Sequence, residues 1–478
     1  MTLSRALKVV LYIAAIYAVY ALVAGVIIFG FHQPAVNQPT EYVSARFFSE
    51  ETGPDRVVLV EGRSQSAQAR VNLIEKAQHT LDITYHAVHA GESADLFFGC
   101  IFAAADRGVQ VRLLLDGLFH SLRGTNKDLL YAVIDHPNIE LRLYEPLNLL
   151  QPWTANNRLH DKLLVVDKQL AMTGGRNIGD KYFLEDFDGE PVHDRDVVIV
   201  NTDMDVPTQS VVSQIGDYFD EVWEHEFTSM PSQDLTGRQR RRGQERIEEL
   251  RRFVAEQRRA QPELFKPANN WLEDSVPTNK ITLIHNPLQR LNKEPWVWQE
   301  LAGLLVGAEE SIYMQSPYVI PGGQMMRCLD VEQISAEDIN ILTNSVATSP
   351  NPFAMSGYTR YRPWLVDVGI NLYEYQGPGS VHAKSYVFDS RLSLVGSFNI
   401  DPRSAFLSTE TMVVIDSEEF AAILEEQIKH LVAEGSLAVG PDYGYQDSSA
   451  VEARPVSRFK RLLVRILSWI TYPFEYML

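Results

Sequence analysis

The sequence predicts an α/β protein built twice: two tandem lobes, each a mixed β-sheet flanked by helices, related by a pseudo-two-fold axis and preceded by a transmembrane helix. Three observations predict it. The first is a stretch carried in two copies, HDKLLVVDKQLAMTGGRN at 160–177 and HAKSYVFDSRLSLVGSFN at 382–399. In each, Lys follows His by two residues, Asp follows Lys by five, Gly follows Asp by seven and Asn follows that Gly by three. The second is that strand-like and helix-like segments alternate in the same order in both halves. The third is an uncharged run of 23 residues at 9–31.

Residues 1–8 carry Arg5 and Lys8 and read as a cytoplasmic N-terminus. The run at 9–31 makes a helix of roughly 34 Å at ~1.5 Å per residue, enough to cross a hydrocarbon core. The next basic residue is Arg46. That bias puts the body outside the cytoplasm, which in a bacterium means the periplasmic side of the inner membrane. A cleaved signal peptide or a buried core helix shares the composition. The run is long for a signal and lacks a clear small-x-small cleavage site after it, so it reads as a single-pass anchor. Residues 32–55, with Pro34, Pro39, Gly53 and Pro54, read as a tether.

The first lobe takes 56–230. Residues 67–77 are helical in pattern and LDITY (81–85) is strand-like. Residues 93–107 put Leu96, Phe97, Cys100, Ile101 and Ala104 on one helical face, and Gly108 stops the helix. Then come the strand 109–116, a short helix at 129–136, the strand 139–145, and a hairpin-like pair, KLLVVD and LAMTGG, leading into Asn177. Residues 231–275 link the lobes and hold nine Arg between 237 and 259. Ile247, Leu250 and Val254 keep an apolar stripe, so this is a solvated linker helix, with a patch for anionic lipid headgroups as the functional alternative.

The second lobe, 276–435, repeats the order: helix 296–308, strand 311–318, the start of a helix at 323–330, strand 339–345, a segment at 361–368, strand 370–376, then KSYVFD and LSLVGS. Tyr85 and Tyr313 are 228 residues apart, as are Cys100 and Cys328, and read as matched positions, whereas the motif histidines are 222 apart. The cysteines read as one small buried residue per lobe rather than a disulfide. The tail, 436–478, ends in SRFKRLLVRILSWITYPFEYML. Phe459, Leu462, Leu463, Ile466, Leu467 and Ile470 form a helical stripe, with Arg458, Lys460, Arg461 and Arg465 beside it. That pattern suits a helix lying in a membrane surface; the alternative is a helix docked on the body.

Composition narrows the function. Lys plus Arg number 43 and Asp plus Glu 62, a formal charge of −19. A nucleic-acid-binding surface is disfavoured, and no nucleic-acid partner is expected. Two cysteines provide neither a disulfide framework nor a zinc pattern.

Two His, two Lys and two Asn converging on one pocket suit phosphodiester chemistry without a metal. Lys162 and Lys384 supply charge to the non-bridging oxygens, and Asn177 and Asn399 supply neutral donors. One unprotonated His can attack phosphorus; the other can protonate the leaving oxygen and then act as base. On a strand, His and Lys two apart point to one face.

These motifs, HxK(x)4D(x)6G[GS]xN, resemble those of the phospholipase D superfamily, and the chain over about 60–435 is similar to bacterial cardiolipin synthases of the class-C-like kind. Segments carrying the resemblance include AADRGVQVRLLLDG (103–117), GGRNIGDKYF (174–183) and GSFNIDPRSAFLSTE (396–410). The resemblance implies two phospholipase D-like lobes, a metal-free and cofactor-free phosphohistidine mechanism, and phospholipid substrates at a membrane. Its catalytic set is His160, Lys162, Asp167, His382, Lys384 and Asp389, with His160 as nucleophile, His382 as acid/base, and both Asp holding lysine and backbone geometry. Asn177 and Asn399 bind phosphate. Asp194 falls where the family orients the first His, and Glu410 where it orients the second. Arg403 and Ser404 hydrogen-bond within the site. The implied reaction moves a phosphatidyl group from phosphatidylglycerol, or another donor such as phosphatidylethanolamine, to the hydroxyl of phosphatidylglycerol. A phospholipase D hydrolase is the first alternative, and a periplasmic nuclease the second. No motif specifies a helper subunit. HAVHAGES (86–93) and SPNPFAMSGY (349–358) depart from the family pattern and bear on lipid choice.

Overall fold

Short runs rich in Val, Ile and Leu, separated by helices with one apolar face, fold into two mixed sheets. The computed structural model describes residues 5–32, 44–205, 207–266 and 271–478. Residues 33–43 of the expected tether lie outside the described residues. The first lobe contributes β1 (Asp55–Val60), β2 (Thr80–Tyr85), β3 (Gln110–Asp116), β4 (Ile139–Tyr144), β5 (Leu163–Val166), β6 (Leu170–Gly174), β7 (Val192–His193), β8 (Asp196–Asn201), β9 (Thr228–Ser229) and β10 (Val276–Pro277). All but β7 join one sheet in the order β10-β1-β8-β6-β5-β2-β3-β4-β9.

The second lobe contributes β11 (Lys280–His285), β12 (Ser311–Gln315), β13 (Asp338–Asn344), β14 (Asn371–Tyr375), β15 (Ser380–Val381), β16 (Ser385–Phe388), β17 (Leu392–Gly396), β18 (Thr411–Asp416) and β19 (Ser436–Ala438). Its sheet runs β11-β18-β17-β16-β12-β13-β14-β19. In each lobe three neighbouring strands are parallel, β2-β3-β4 and β12-β13-β14, and the motif hairpin, β5-β6 or β16-β17, is antiparallel beside them. The expected α/β duplication is therefore present. β10 pairs with β1, so the first sheet reaches past the expected boundary at 276, and β19 carries the second sheet past 435.

A strand pair and a shared core help to join the lobes. β7 and β15 pair in parallel across the interface, Val192 with Ser380 and His193 with Val381. A buried cluster also draws on both sides, with Val197, Ile199 and Phe219 from one lobe and Val387, Val395 and Val413 from the other.

The matched tyrosines are a correction. Asp167 accepts from the Thr80 amide and Asp389 from the Ser311 amide, so Thr80 corresponds to Ser311. Tyr85 then corresponds to Ser316, not Tyr313. Tyr85 is buried under Arg70, whereas Tyr313 bonds Asp338. Cys100 and Cys328 are free and buried. Residues 323–330 form a short 3-10 turn, Met325–Arg327, instead of starting a helix. Pro321, Gly322 and Gly323 lead into it, and they resist helix entry.

The Arg-rich helix, Gly237–Ala260, is docked on the first lobe. Ile247, Leu250 and Val254 are buried. Its arginines pair with body carboxylates: Arg240 with Asp135, Arg242 with Asp128, Arg246 with Asp95, Arg251 with Asp106 and Arg258 with Glu75. Five of the nine charges are met by the body, so the helix is docked rather than a free linker, while Arg238, Arg252 and Arg259 are exposed.

Leu7–Phe31 is one helix with mean hydropathy 2.4, long and apolar enough to cross a membrane. The tail helix, Arg458–Thr471, packs on the helix Pro352–Asp367, where Arg360 bonds Ser468 and Thr471. It is docked, yet it turns Phe459, Leu462, Ile466, Trp469 and Ile470 outward.

Candidate active site

The two motif copies meet where the lobes meet. His160 and Lys162 lie in an extended segment leading into β5, and His382 and Lys384 in one leading into β16, so they precede the strands expected to carry them. Each backbone is fixed by the opposite lobe. The His160 amide donates to Thr409 Oγ1 at 3.0 Å. The His382 amide donates to the His193 carbonyl at 2.7 Å. Thr409 and His193 immediately precede Glu410 and Asp194.

That docking sets the histidine pairs, and it crosses them. His160 Nδ1 stands 3.0 Å from Glu410 Oε2, and His382 Nδ1 stands 2.6 Å from Asp194 Oδ2. The expectation that Asp194 orients His160 and Glu410 orients His382 is overturned. The sheet explains why. Leu163 pairs with Thr173 and Thr173 with Val197. Extending that register puts Asp194 level with His160 but two strands away, or roughly 10 Å at the usual strand spacing. A hydrogen bond needs about 3 Å. Only the histidine arriving from the other lobe is close enough. Asp196, the neighbouring candidate, is occupied by Arg70, Arg176 and Ser66.

Asp194, held ionised, can only accept, which places the hydrogen of His382 on Nδ1 and leaves its Nε2 for chemistry; Glu410 faces Nδ1 of His160 in the same way, leaving that ring's Nε2 free of the carboxylate. Both carboxylates are fully buried, while His160 and His382 keep 15% and 20% side-chain exposure. The second residue of G[GS]xN fits its own carboxylate. A Cβ on Gly175 would lie 2.2 Å from Asp194 Oδ1. Ser397, at the same place in the second copy, instead donates to Glu410 at 2.5 Å.

The two pairs differ in charge. Burial, then the charge of Lys162 and of Lys384, holds His160 well below the usual imidazole range. Burial, then Lys384, lowers His382 to about 4, with Asp194 opposing. Burial raises Glu410 to about 7 against the pull of Lys162. Burial also pushes Asp194 upward, but the charges of His382 and Lys384 together hold it far below the usual carboxylate range. Burial lowers Lys162 to about 7 and Lys384 to about 8. Each lysine ammonium donates to the carbonyl of its own motif histidine.

Asn177 accepts from the Ala87 amide and donates toward Tyr182 OH, and Asn399 donates to Ser404 Oγ at 3.1 Å. Ser404 thus belongs to the site, as expected. The Arg403 guanidinium donates to the Met477 carbonyl instead. Asp167 and Asp389 do not join the site. They cap turns at the far ends of β5 and β16, where Asp167 accepts from the amides of Gln78, His79 and Thr80, and Asp389 from those of Glu309, Glu310 and Ser311. Their role is to hold backbone; the expected hold on the lysines is absent, because a strand of four residues separates them.

Sequence reasoning missed three contributors. Thr409 positions His160 and accepts no less a constraint from Asp161, whose Oδ2 takes its hydroxyl hydrogen. His86 packs its ring 5.0 Å from that of His160, with Nδ1 donating to the Leu159 carbonyl at 2.6 Å. Tyr182 sets its ring edge-on to His382 at 5.9 Å. His86 could have been suspected from the atypical 86–93 segment; Thr409 and Tyr182 carry no signal of their own.

Among the described residues no cluster of His, Cys, Asp and Glu could hold a metal ion. Comparison with known proteins gives a consistent result. Residues 71–223 and 301–432 match the family model described as cardiolipin synthase, PLD-like domain. Cardiolipin synthase C of Escherichia coli K12 is 30% identical over 79% of this chain and 85% of its own length. An uncharacterized protein of Helicobacter pylori is 27% identical over 82% of each chain. The crystal structure of phosphatidylserine synthase from Haemophilus influenzae superposes with a TM-score of 0.60 at 15% identity, covering 88% of this chain and 95% of that one, which is a likeness of fold.

Proposed function

The chain belongs to the family of cardiolipin synthases with phospholipase D-like domains and is a phospholipid-modifying enzyme, and on that footing we propose that it transfers a phosphatidyl group to the hydroxyl of phosphatidylglycerol through a phosphohistidine at His160. The crossed histidine–carboxylate pairs carry the assignment of roles. Asp194 stays ionised and supports a proton on His382, as a general acid requires. Glu410, at about 7, supports a cationic His160 less, leaving His160 neutral with a lone pair on Nε2. The arriving phosphodiester adds a negative charge that raises His382 toward its protonated form.

In the first step His160 Nε2 bonds phosphorus and the bond to the donor headgroup oxygen breaks, that oxygen taking a proton from His382. In the second, an acceptor hydroxyl gives its proton to His382, its oxygen bonds phosphorus, and the phosphorus–nitrogen bond breaks. Lys162, Lys384, Asn177 and Asn399 hold the non-bridging oxygens throughout. Two phosphatidylglycerols thereby yield one cardiolipin and one glycerol.

The Leu7–Phe31 helix serves as the membrane anchor, with the body periplasmic in a bacterial inner membrane. Asn292 Nδ2 donates to the carbonyls of Phe29 and His32, and Tyr476 OH donates to the Val26 carbonyl. Tyr17 and Tyr20 donate to the carbonyls of Leu149 and Leu150. Leu150, 81% exposed, and the Tyr472–Met477 turn that follows the tail helix therefore lie beside the anchor. Both suit the lipid leaflet.

The test uses full-length protein in mixed micelles with phosphatidylglycerol labelled at phosphorus. We expect labelled cardiolipin, and acid-labile label on the protein that is lost in His160→Ala. Phosphatidic acid as the only product would make the enzyme a hydrolase, and protein label surviving in His160→Ala would move the nucleophile elsewhere.

A further inference from the structure

Each motif copy is followed by a cation. Four residues beyond Asn177 stands Lys181, and four beyond Asn399 stands Arg403. The pseudo-two-fold relation puts these two on opposite sides of the phosphate site. Their fates differ. Arg403 is committed to the tail through Met477 and lies on the His160 side, where its charge acts on that ring. Lys181 is half-buried, and among the described residues no hydrogen bond or ion pair ties its ammonium. Its neighbour Asp180 is occupied with the Ser93 amide.

Lys181 Nζ lies 5.1 Å from the centroid of the Tyr182 ring. The His89 ring stacks on Tyr182 at 6.2 Å, and Tyr182 in turn meets His382 edge-on. Both side chains thus lie against the Tyr182 ring, and burial, then the charge of Lys181, lowers His89. A half-buried ammonium without a hydrogen-bonded or ion-paired partner among the described residues, with an imidazole on the same Tyr182 ring, makes a place for an anion. His89 belongs to the atypical 86–93 segment.

Displacement at phosphorus runs in line, so the acceptor enters opposite the bond to His160, on the side of His382. In phosphatidylglycerol the attacking hydroxyl is separated from its own phosphodiester by three carbons. With that hydroxyl at His382, its phosphodiester extends outward past Tyr182. We propose that Lys181 and His89, on the platform of Tyr182, form a second phosphate subsite that holds the phosphodiester of the acceptor lipid. The subsite deepens the transferase reading and rests on it. It gives an anionic lipid acceptor a hold that water and free glycerol lack.

The experiment measures acceptor choice. Purified full-length enzyme receives phosphatidylglycerol labelled at phosphorus in micelles, with unlabelled phosphatidylglycerol and free glycerol bearing a second label as competing acceptors, so that transfer to glycerol is read as the second label entering phosphatidylglycerol. The readout is the ratio of transfer to lipid over transfer to glycerol, in which any shared loss in the first half-reaction cancels. Lys181→Ala is expected to lower that ratio about tenfold, the order of one charge-assisted contact. Lys181→Glu should lower it further, and Lys181→Arg should retain it. His89→Ala should lower it as well. An unchanged ratio in Lys181→Ala and Lys181→Glu, both melting like the parent, overturns the subsite. A parent enzyme that makes no cardiolipin defeats the transferase reading instead, so the two failures are distinct.

Discussion

The crossed pairing of histidines and carboxylates makes the sharpest prediction. Asp194→Asn keeps the shape of the side chain and removes its charge. If Asp194 serves His382, the loss falls on protonation of the leaving group. The contact is a 2.6 Å bond from a ring nitrogen to a fully buried carboxylate held ionised by the charges around it. Bonds to charged groups contribute about 1.5–3 kcal/mol. At 1.36 kcal/mol per tenfold in rate, that is a slowing of about 10- to 150-fold. The assay is single-turnover formation of phosphohistidine with two donors: phosphatidylglycerol, and a phosphatidyl ester of p-nitrophenol whose leaving group departs without a proton. Asp194→Asn should slow the first donor and leave the second nearly normal. Glu410→Gln should slow both, because it acts on the nucleophile. Asp194→Asn slowing both donors alike, with Glu410→Gln sensitive to the leaving group, would refute the assignment and, with the pairs crossed as they are, make His382 the nucleophile.

Two further predictions concern stability. Burial raises Glu410 from about 4.5 to about 7, so the native state keeps a proton there that the unfolded chain has lost. The stability linked to this site is full below pH 4.5 and is lost as pH rises to about 7, on the order of 3 kcal/mol. Across that window the Tm of the parent should fall relative to Glu410→Gln, and parallel Tm-against-pH curves would contradict the shift. Gly175→Ala puts a methyl group against Asp194 Oδ1. It should cost about 1–3 kcal/mol by overpacking and displace the carboxylate from His382, reproducing the leaving-group dependence of Asp194→Asn. A melt and donor profile like those of the parent would count against the close fit.

Most of the architecture was legible because it repeats. The spacing of His, Lys, Gly and Asn survives in both copies, and the strands around it follow from their Val- and Leu-rich runs. What failed depends on side-chain direction and on docking. Tyr85 and Tyr313 share an offset with Cys100 and Cys328, but equal spacing says nothing about register, and the capped turns at Asp167 and Asp389 set a different one. Nine arginines in one segment resemble a lipid-binding patch, and nothing near them in sequence tells that first-lobe carboxylates meet five of them. Asp167 and Asp389 belong to the motif by spacing, yet they sit at the wrong end of a strand for chemistry. They are retained in the pattern by the geometry of the turn, where each takes a left-handed backbone angle, φ of 50° and 49°.

The same geometry bears on why the motif occurs twice in one chain. A lobe taken alone holds a histidine and a carboxylate at one level of its sheet, two strands apart, and cannot join them. Its histidine would keep neither a fixed tautomer nor the amide contact that the other lobe supplies through Thr409 or His193. Docking two lobes completes both pairs at once, and the parallel pairing of β7 with β15 sets the alignment on one side. Because the two copies lie in one chain, they are free to diverge. Asp194 and Glu410 differ in length, Gly175 and Ser397 in what they allow, and Lys181 and Arg403 in what they bind. These differences make the two half-sites inequivalent, as the proposed division into a nucleophile side and an acid side requires. A strictly symmetric dimer of one lobe would have no such means of deciding which histidine attacks.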